Sequence, residues 1–296
     1  MKLGGLGEDG VVAALLRGLP GAPDVVRGPG DDCAVIGHAR SKLWRLLKTD
    51  CVIEGIHFRP GENAGKIGWK ALARAVSDIA AMGGRPLHAL VTLAIAPEAE
   101  LKRAVAVYAG LRKCAARYGI AIVGGETARS PGPMFISVTL TGEVERRLCV
   151  FRSGGQPGDR LFVTGRLGGS LARRHLCFEP RVEEGRWLAR NFQPHAMMDL
   201  SDGLGADLPR LARASGCGFR LDESALPLNA RCSVRQALSD GEDYELLFAL
   251  PPREADRLQI LWPRKFPKLP LTEIGELTTA PAARKKTSLH GYDHFA

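Results

Sequence analysis

The sequence lacks several features that would place it in a membrane or outside the cell. No apolar run is long enough to cross a bilayer, and no apolar segment of a secretory signal follows the first residues. The 7 cysteines are odd in number and never form a CxxC pair, which indicates reduced thiols and neither a disulfide framework nor a zinc site. The pattern predicts a cytoplasmic protein without membrane contact.

Signatures of covalent catalysis and of common nucleotide loops are also missing. The sequence contains no GxSxG, and none of its cysteines stands beside a histidine, so nothing points to a nucleophilic enzyme. The glycine-rich segment 165–170 fits neither the P-loop GxxxxGK[ST] nor a dinucleotide-binding fingerprint. We interpret that segment as a plain turn after a strand.

Acidic residues are fewer than basic ones, 32 against 41, which gives a net charge of +9 and suggests an anionic partner. A nucleic-acid-binding protein is therefore one hypothesis. It requires a continuous basic stripe with aromatic platforms. Aromatic residues make up only 6%, and the basic clusters 173–174 and 284–286 are short. Solvated basic faces explain the charge better, and we expect no nucleic acid.

Glycine is abundant, with 35 residues placed at the ends of apolar runs, a pattern typical of an α/β or α+β protein with functional loops. A second half of the chain is expected to begin after residue 142. The basic, proline-containing tail from Arg253 is predicted to wrap the surface. Hydrophobic periodicity predicts strands at 43–50, 88–95, 120–123, 134–141, 159–164, 195–200 and 243–250, and helices at 68–82, 97–118 and 203–215.

Carboxylates occur repeatedly where an apolar run meets glycine or a hydroxyl residue. Burying lone carboxylates there is costly, and Mg²⁺ compensates for the cost while sharing its ligand shell with substrate phosphates. Each acid taken singly is at least as well explained by a turn or a helix cap. Six in one chain favour a magnesium site, although spacing alone does not bring them together: Asp32, Asp50, Asp78, Glu126, Asp199 and Asp202.

A series of short motifs runs in one order along nearly the whole chain. They are GDDCAVI (30–36), TD with EGIHF (49–58), KALA with SDIAAMG (70–83), GGET (124–127), RSG (152–154), DLSDGL (199–204), GEDYEL (241–246) and GYDHF (291–295). Together they resemble the thiamine-monophosphate kinase family of the AIR-synthase (PurM-like) superfamily. The Asp-Asp and Ser-Asp-Gly motifs are common to the superfamily, whereas Gly-x-His-Phe (GIHF here), GEDYEL and GYDHF single out this family.

The resemblance implies a two-domain α+β fold, with an N-terminal domain at 1–145 that carries a mixed sheet and a C-terminal α+β domain at 146–296. It implies a homodimer formed through the N-terminal sheets, with the site near the interface. The implied reaction is the Mg²⁺-dependent transfer of the ATP γ-phosphoryl group directly to thiamine monophosphate, the last step in making thiamine diphosphate. Several Mg²⁺ ions are implied, and a requirement for K⁺ is left open.

The resemblance also assigns roles to individual residues. Catalysis is assigned to Asp50, Asp202 and Arg152. The implied metal shell is Asp32, Thr49, Asp50, Asp78, Glu126, Asp199 and Asp202. The implied ATP contacts are Tyr108, Gly125, Glu126, Arg152 and Ser201, and the implied thiamine-phosphate contacts are His57, Glu242 and Tyr292.

Two positions depart from the family pattern. Glu126 stands where the family usually has Asp, and Lys48 where it often has Ser. A lysine at position 48 would displace or replace a cation if it faced the site, and we expect instead that its side chain points away. Another ATP-using enzyme of the same superfamily is the alternative function, and the motifs specific to the family argue against it.

Overall fold

The structure is a computed structural model that describes residues 3–38, 40–279 and 291–293. Within these residues, six strands of the first half form one sheet: β1 (Val25–Arg27), β2 (Ala34–Ile36), β3 (Leu43–Ile53), β4 (Arg85–Ile95), β5 (Ala121–Arg129) and β6 (Phe135–Glu145). Their order is β1-β2-β3-β6-β4-β5, and only the β4–β5 pair is parallel. This is the mixed N-terminal sheet that the resemblance implies.

The second half forms a separate antiparallel sheet of five strands: β7 (Arg160–Thr164), β8 (Ala196–Asp199), β9 (Gly218–Leu221), β10 (Leu246–Leu250) and β11 (Leu271–Thr278). Its order is β8-β10-β7-β11-β9. All five residues of β10 and all four of β8 are buried, as expected of strands covered on both faces.

The described helices are α1 (Gly7–Leu15), α2 (Ala64–Ala81), α3 (Leu101–Tyr118), α4 (Ser170–Arg173), α5 (Val182–Asn191), α6 (Leu204–Ala214), α7 (Val234–Ser239) and α8 (Pro252–Lys265). Short 3₁₀ turns cover Leu3–Gly5, Arg146–Leu148 and Glu223–Ala225. No helix in the described part of the chain is both long and apolar enough to span a membrane.

Helix α2 links the two halves of the molecule. It begins at the cap Asn63, whose side chain accepts a hydrogen bond from the Lys66 N–H, and almost every residue from Ile67 onward is buried. It packs on β3 and β6 of the first sheet, on α3, and on α5 and β8 of the second half. A side chain at Gly110 of α3 would place its Cβ only 1.8 Å from the Gly65 carbonyl oxygen, so glycine is needed for this close crossing.

Strand β3 has two different faces because its side chains alternate. Leu46 and Val52 point inward and are fully buried. Lys48 and Asp50 lie between them at every second position, so they are on the same face of the strand, which packs against α2. Thr49 lies on the opposite, outer face, where its hydroxyl is 3.4 Å from that of Thr139 on β6. Thus consecutive residues of the Lys48–Asp50 segment belong to different surfaces.

The predicted elements are found with shifted ends, and the fold class is confirmed. The strand predicted at 243–250 begins only at Leu246, because Glu242 and Tyr244 adopt positive φ angles of 56° and 51° that a strand does not allow. The prediction for the tail is wrong. From Pro252 the chain forms α8 and then β11, which lies between β7 and β9 inside the second sheet. Proline is well tolerated in the first helical turn, so it did not exclude a helix here.

Candidate active site

Three of the predicted metal ligands converge at the junction of the two halves. Asp32 lies in the turn before β2, Asp78 in the last turns of α2, and Asp199 at the end of β8. All three are buried, and one carboxylate oxygen from each lies within 4.8 Å of the others. Three residues that are far apart in sequence thus form one acidic cluster, which we call the triad.

The triad is electrostatically unfavourable without a counter-charge. Burial raises the pKa of Asp78 well above its usual range, and the neighbouring carboxylate of Asp199 raises it further. Burial, together with the charge of Asp32, raises the pKa of Asp199 to about 6. The Ser77 hydroxyl donates a 2.6 Å hydrogen bond to Asp199, which favours its ionised form.

The donor set of the triad fits a hard cation such as Mg²⁺. Asp32 Oδ1 accepts two hydrogen bonds from Arg152, at 2.6 Å and 3.1 Å, but its buried Oδ2 has no hydrogen-bond partner. A buried carboxylate oxygen without a partner is costly. Three converging carboxylates with one such oxygen are the oxygen-rich environment that Mg²⁺ prefers.

Protein cations already contact the acids around the triad. Lys48 Nζ lies 2.7 Å from Asp78 Oδ1, Arg74 Nη2 lies 3.1 Å from Asp50 Oδ1, and Arg152 pairs with Asp32. The expectation that the Lys48 side chain points away is therefore wrong. Its position on the inner face of β3 directs it at α2. Asp50 shares that face, so the structure brings it close to the triad but pairs it with arginine.

Two predicted metal ligands lie on a different surface. Thr49 is on the outer face of the first sheet, and Glu126 lies three strands away on the edge strand β5. Glu126 is exposed, and its carboxylate accepts a hydrogen bond from the backbone N–H of Thr127. The side chains of Thr49 and Glu126 are therefore not brought to the triad within this chain.

The loop after β8 carries Ser201 and Asp202, and the Asp207 side chain of α6 holds its backbone in place. Both backbone N–H groups donate to Asp207 Oδ2, at 3.1 Å and 3.0 Å. Burial, together with the nearby charge of Asp202, raises the pKa of Asp207 to about 8. Arg210 forms an ion pair with both Asp202 and Asp207. Asp202 thus lies beside the triad without joining it.

Backbone hydrogen bonds between residues far apart in sequence bring two predicted substrate contacts to the Ser201–Asp202 loop. The Glu242 N–H donates to the Ser201 carbonyl at 2.7 Å, and the Tyr292 N–H donates to the Asp202 carbonyl at 2.9 Å. Tyr292 keeps 43% of its surface exposed. Gly291 lies against the same loop, since a Cβ there would stand 2.6 Å from the Asp202 carbonyl oxygen, whereas His290, His294 and Phe295 lie outside the described residues.

Lys70 organises the predicted substrate side of the site. Its fully buried ammonium donates to the His57 carbonyl and to Glu242, and it lies 3.1 Å from His175 Nδ1. Burial lowers the pKa of Lys70, although the Glu242 carboxylate opposes this effect. Burial also disfavours ionisation of Glu242, but hydrogen bonds from His175 and Lys70 hold its pKa down to about 2. Glu242 is therefore a fixed anion.

His57 and two predicted ATP contacts have clear structural roles. His57 Nδ1 accepts a hydrogen bond from the Ile53 N–H, which places the ring proton of the neutral form on Nε2. Tyr108 is half-buried on α3 against the main core. Gly125 lies opposite Val91, and a Cβ there would stand 1.8 Å from the Val91 carbonyl oxygen. Gly125 is therefore required for β4–β5 pairing, whatever else it binds.

Comparison with known proteins identifies the family. Residues 30–144 match the family model "AIR synthase related protein, N-terminal domain", and residues 156–284 match "AIR synthase related protein, C-terminal domain". A thiamine-monophosphate kinase of Rhodopirellula baltica is 38% identical over 289 residues, which cover 92% of this chain and 89% of the relative. The chain belongs to the thiamine-monophosphate kinase family. The Aquifex aeolicus thiamine-monophosphate kinase is 32% identical over the full length of both chains.

Solved structures of the thiamine-monophosphate kinase family have the same fold. "AaThiL complexed with AMPPCP and TMP" has a TM-score of 0.86 and 31% identity, with 99% of each chain covered. The Stenotrophomonas maltophilia thiamine-monophosphate kinase has a TM-score of 0.73 and 33% identity, over 91% of this chain and 92% of that one. The hydrogenase maturation protein HypE of E. coli, at 23% identity and a TM-score of 0.68, shows a shared fold alone.

Sequence reasoning missed a polar stripe along α2. Lys70, Arg74, Ser77 and Asp78 follow one another at helical spacing, so they lie on one face of a helix that is otherwise rich in alanine and apolar residues. This spacing was visible in the sequence and indicates that one face of the helix borders a polar site. One partner of the stripe, His175, comes from the second half and carries no such signal.

Proposed function

We propose that this protein transfers the γ-phosphoryl group of ATP to thiamine monophosphate, giving thiamine diphosphate and ADP. The observation that carries the proposal is the buried Asp32–Asp78–Asp199 triad with its unpartnered carboxylate oxygen, in a chain of the thiamine-monophosphate kinase family. One of the family's structures is described as holding AMPPCP and TMP, an ATP analogue together with the acceptor. Both ligands are polyanions, which fits a site that combines carboxylates with arginine and lysine.

The triad supplies the ligands for Mg²⁺, and Asp50 and Asp202 stand beside it with their own cationic partners. Bound Mg²⁺ supplies charge neutralisation for the phosphate oxygens of two anions that must meet end to end. The chain itself contributes buried carboxylates that already converge before the metal–nucleotide complex arrives. Asp32, held by Arg152, is the best-fixed of these ligands.

Arg152 binds phosphate in this proposal. Its guanidinium pairs with Asp32 Oδ1 through both Nε and Nη2, and a fork of this geometry also fits two phosphate oxygens. The Ser201 loop directly follows Asp199 of the triad in sequence, with its backbone fixed by Asp207. Together they position ATP so that transfer proceeds by orientation and charge stabilisation, as in other phosphoryl transfers.

Thiamine monophosphate is recognised on the Glu242 side. Thiamine carries a cationic thiazolium ring and an aminopyrimidine ring, and a carboxylate that stays ionised complements both. Glu242 meets that requirement because Lys70 and His175 hold its pKa at about 2. The Tyr292 ring offers an aromatic face for stacking, and His57 Nε2 offers a proton donor. No covalent phosphoenzyme is needed, so the acceptor phosphate attacks directly.

We also propose a homodimer formed through the outer face of the first sheet. Leu47 on β3 and Leu90 on β4 are 40% and 47% exposed there, an unusual property for large apolar residues in the middle of a sheet. Thr49 and Glu126 share this face. Dimerisation would place the family's remaining predicted ligands at an interface, which explains why they do not reach the triad of their own chain.

The direct test is to incubate the purified protein with ATP, Mg²⁺ and thiamine monophosphate and to measure thiamine diphosphate and ADP. We expect stoichiometric formation of both. Asp199→Asn should lower kcat/KM by about 100-fold or more while the circular dichroism spectrum stays unchanged. Gln259→Ala on exposed α8, distant in sequence from the site, is the matched control. Absence of thiamine diphosphate at every Mg²⁺ concentration would refute the assignment.

The same assay separates the remaining hypotheses. ADP formed with another small acceptor, and not with thiamine monophosphate, would indicate a different enzyme of the superfamily. Tight, salt-dependent binding of single-stranded DNA would support the nucleic-acid hypothesis. Replacing K⁺ by Na⁺ tests whether the reaction requires K⁺, and the cytoplasmic location remains a prediction from the sequence.

A further inference from the structure

Lys48 occupies an unusual position for a lysine. It lies on the inner face of β3, two residues before Asp50, and its ammonium contacts Asp78 Oδ1 at 2.7 Å. The side chain of Lys48 is 23% exposed and that of Asp78 only 8%. Asp50 also acts on Lys48 electrostatically. The ammonium therefore contacts one carboxylate of the proposed metal shell, Asp78, and lies on the same strand face as a second, Asp50.

Charge counting makes this position significant. Asp32, Asp50, Asp78 and Asp199 carry four formal negative charges, and Lys48, Arg74 and Arg152 contact three of them. The arginines pair with Asp50 and Asp32 through planar guanidinium groups. Lys48 is different because an ammonium is a compact point charge with several donors, which resembles a small cation in how it bridges oxygen atoms.

We propose that Lys48 acts as a resident cation of the active site, taking the position beside Asp78 and Asp50 that a divalent ion would otherwise fill. The site then binds fewer divalent ions than its carboxylates would allow, with binding centred on the Asp32–Asp78–Asp199 triad. The inference rests on the proposed function, because it concerns the metal requirement of that same site. Lys48 contributes a fixed charge and hydrogen bonds where a bound ion would contribute exchangeable charge.

The chemistry of this exchange has a specific consequence. A lysine charge is present at every concentration of Mg²⁺, whereas a weakly bound ion must be supplied by the solution. The dependence of activity on Mg²⁺ concentration should therefore have a lower Hill coefficient in the natural chain than in a variant without the Lys48 charge. The variant should gain a binding site for a divalent ion and should need more Mg²⁺ to fill it.

The experiment counts bound ions with Mn²⁺ as the probe. The full-length protein is titrated with Mn²⁺ in the presence of AMPPCP and thiamine monophosphate, and free Mn²⁺ is measured by electron paramagnetic resonance. Lys48→Met keeps most of the side-chain length and removes the charge. We expect Lys48→Met to bind about one more Mn²⁺ ion per chain than the natural protein, because Asp78 loses its resident cation beside Asp50. Lys48→Gln serves as a second variant if the methionine variant does not fold.

Two controls define the outcome. Lys48→Arg retains the charge and should keep the natural ion count. Arg45→Met removes a basic residue from the exposed outer face of the same strand and should also leave the count unchanged. An equal number of Mn²⁺ ions in Lys48→Met, Lys48→Gln and the natural protein would overturn the proposal, even if affinity changed. The phosphotransfer assay is separate, so failure to make thiamine diphosphate would overturn the proposed function while the ion count still decides the role of Lys48.

Discussion

Replacing Lys70 by methionine would remove the buried ammonium that holds the substrate side of the site together. Lys70 is fully buried and donates to the His57 carbonyl and to Glu242. The methionine has a similar length and fills the same space, so the change removes charge and hydrogen bonds with little loss of packing. Glu242 would then be left in a poorly solvated position with only His175 as a close partner.

The expected loss of stability follows from two independent estimates. Removing one member of a buried ion pair typically costs about 3–5 kcal/mol, because the remaining charge stays buried. The pKa of Glu242 is lowered from 4.5 to about 2. At roughly 1.4 kcal/mol per pKa unit, this net shift corresponds to about 3 kcal/mol, to which His175, Lys70 and Arg74 all contribute, so it supports the order of magnitude only. We therefore expect the free energy of unfolding to fall by about 3 kcal/mol at pH 7.

Urea denaturation followed by tryptophan fluorescence measures this loss, and its pH dependence tests the cause. A carboxylate whose pKa is lowered in the folded state stabilises the fold above its unfolded pKa, and this contribution disappears as the pH falls through the folded value. For Glu242 that range runs from 4.5 down to about 2. The difference between the natural protein and Lys70→Met should therefore shrink as the pH is lowered from 5 to 3.

Lys66→Met is the matched control, because Lys66 lies one turn earlier on α2 with its side chain exposed. It should change stability by less than about 0.5 kcal/mol. The double variant Lys70→Met, Glu242→Gln should recover part of the loss, since no uncompensated charge remains. A cost below about 1 kcal/mol for Lys70→Met, or no recovery in the double variant, would contradict the reasoning.

Three further changes test other parts of the structure. Gly125→Ala should destabilise the protein by about 1–3 kcal/mol in urea unfolding because its Cβ meets the Val91 carbonyl, whereas Gly132→Ala, with open space around it, should be neutral. Asp32→Asn should weaken Mg²⁺ binding by about tenfold or more in calorimetry, and unchanged affinity would remove Asp32 from the metal shell. Leu90→Lys should convert the proposed dimer to a monomer in light scattering, and a persistent dimer would locate the interface elsewhere.

The fold was predictable where hydrophobic periodicity and glycine punctuation agreed. Strands β3 and β4 and helices α2 and α3 combine both signals, and their predicted ends differ from the observed ones by a few residues. Helix α8 was missed because its prolines and basic residues resemble a surface tail. Its apolar positions Ala255, Leu258 and Trp262 recur at helical spacing and are buried.

The acidic part of the site was predictable from residue type and local context, whereas its internal pairing was not. Asp32, Asp78 and Asp199 were all expected as metal ligands, and the structure brings them together. The direction of the Lys48 side chain depends on which alternate residues of β3 face the core, and a register shift of one residue would turn the side chain to the other face. The same alternation separates Thr49 from Asp50, although they are neighbours in sequence.

The pairing of acids with protein cations explains how such a site folds before any substrate arrives. A buried carboxylate without a counter-charge is strongly destabilising, and ATP and its metal ions are not part of the folding chain. The ion pairs Lys48–Asp78, Arg74–Asp50, Arg152–Asp32 and Arg210–Asp202 supply that counter-charge internally.

The same pairs can then exchange partners. In the proposed function, a phosphate that takes the Arg152 fork would leave Asp32 free to bind a metal ion, so substrate binding and metal binding would assist each other through one residue. Part of the basic excess of the chain is therefore placed inside an acidic site, where it pairs with buried carboxylates and, in the proposed function, would bind the phosphates. On this argument, ATP and Mg²⁺ should each tighten binding of the other, and removing the Arg152 guanidinium should weaken that coupling.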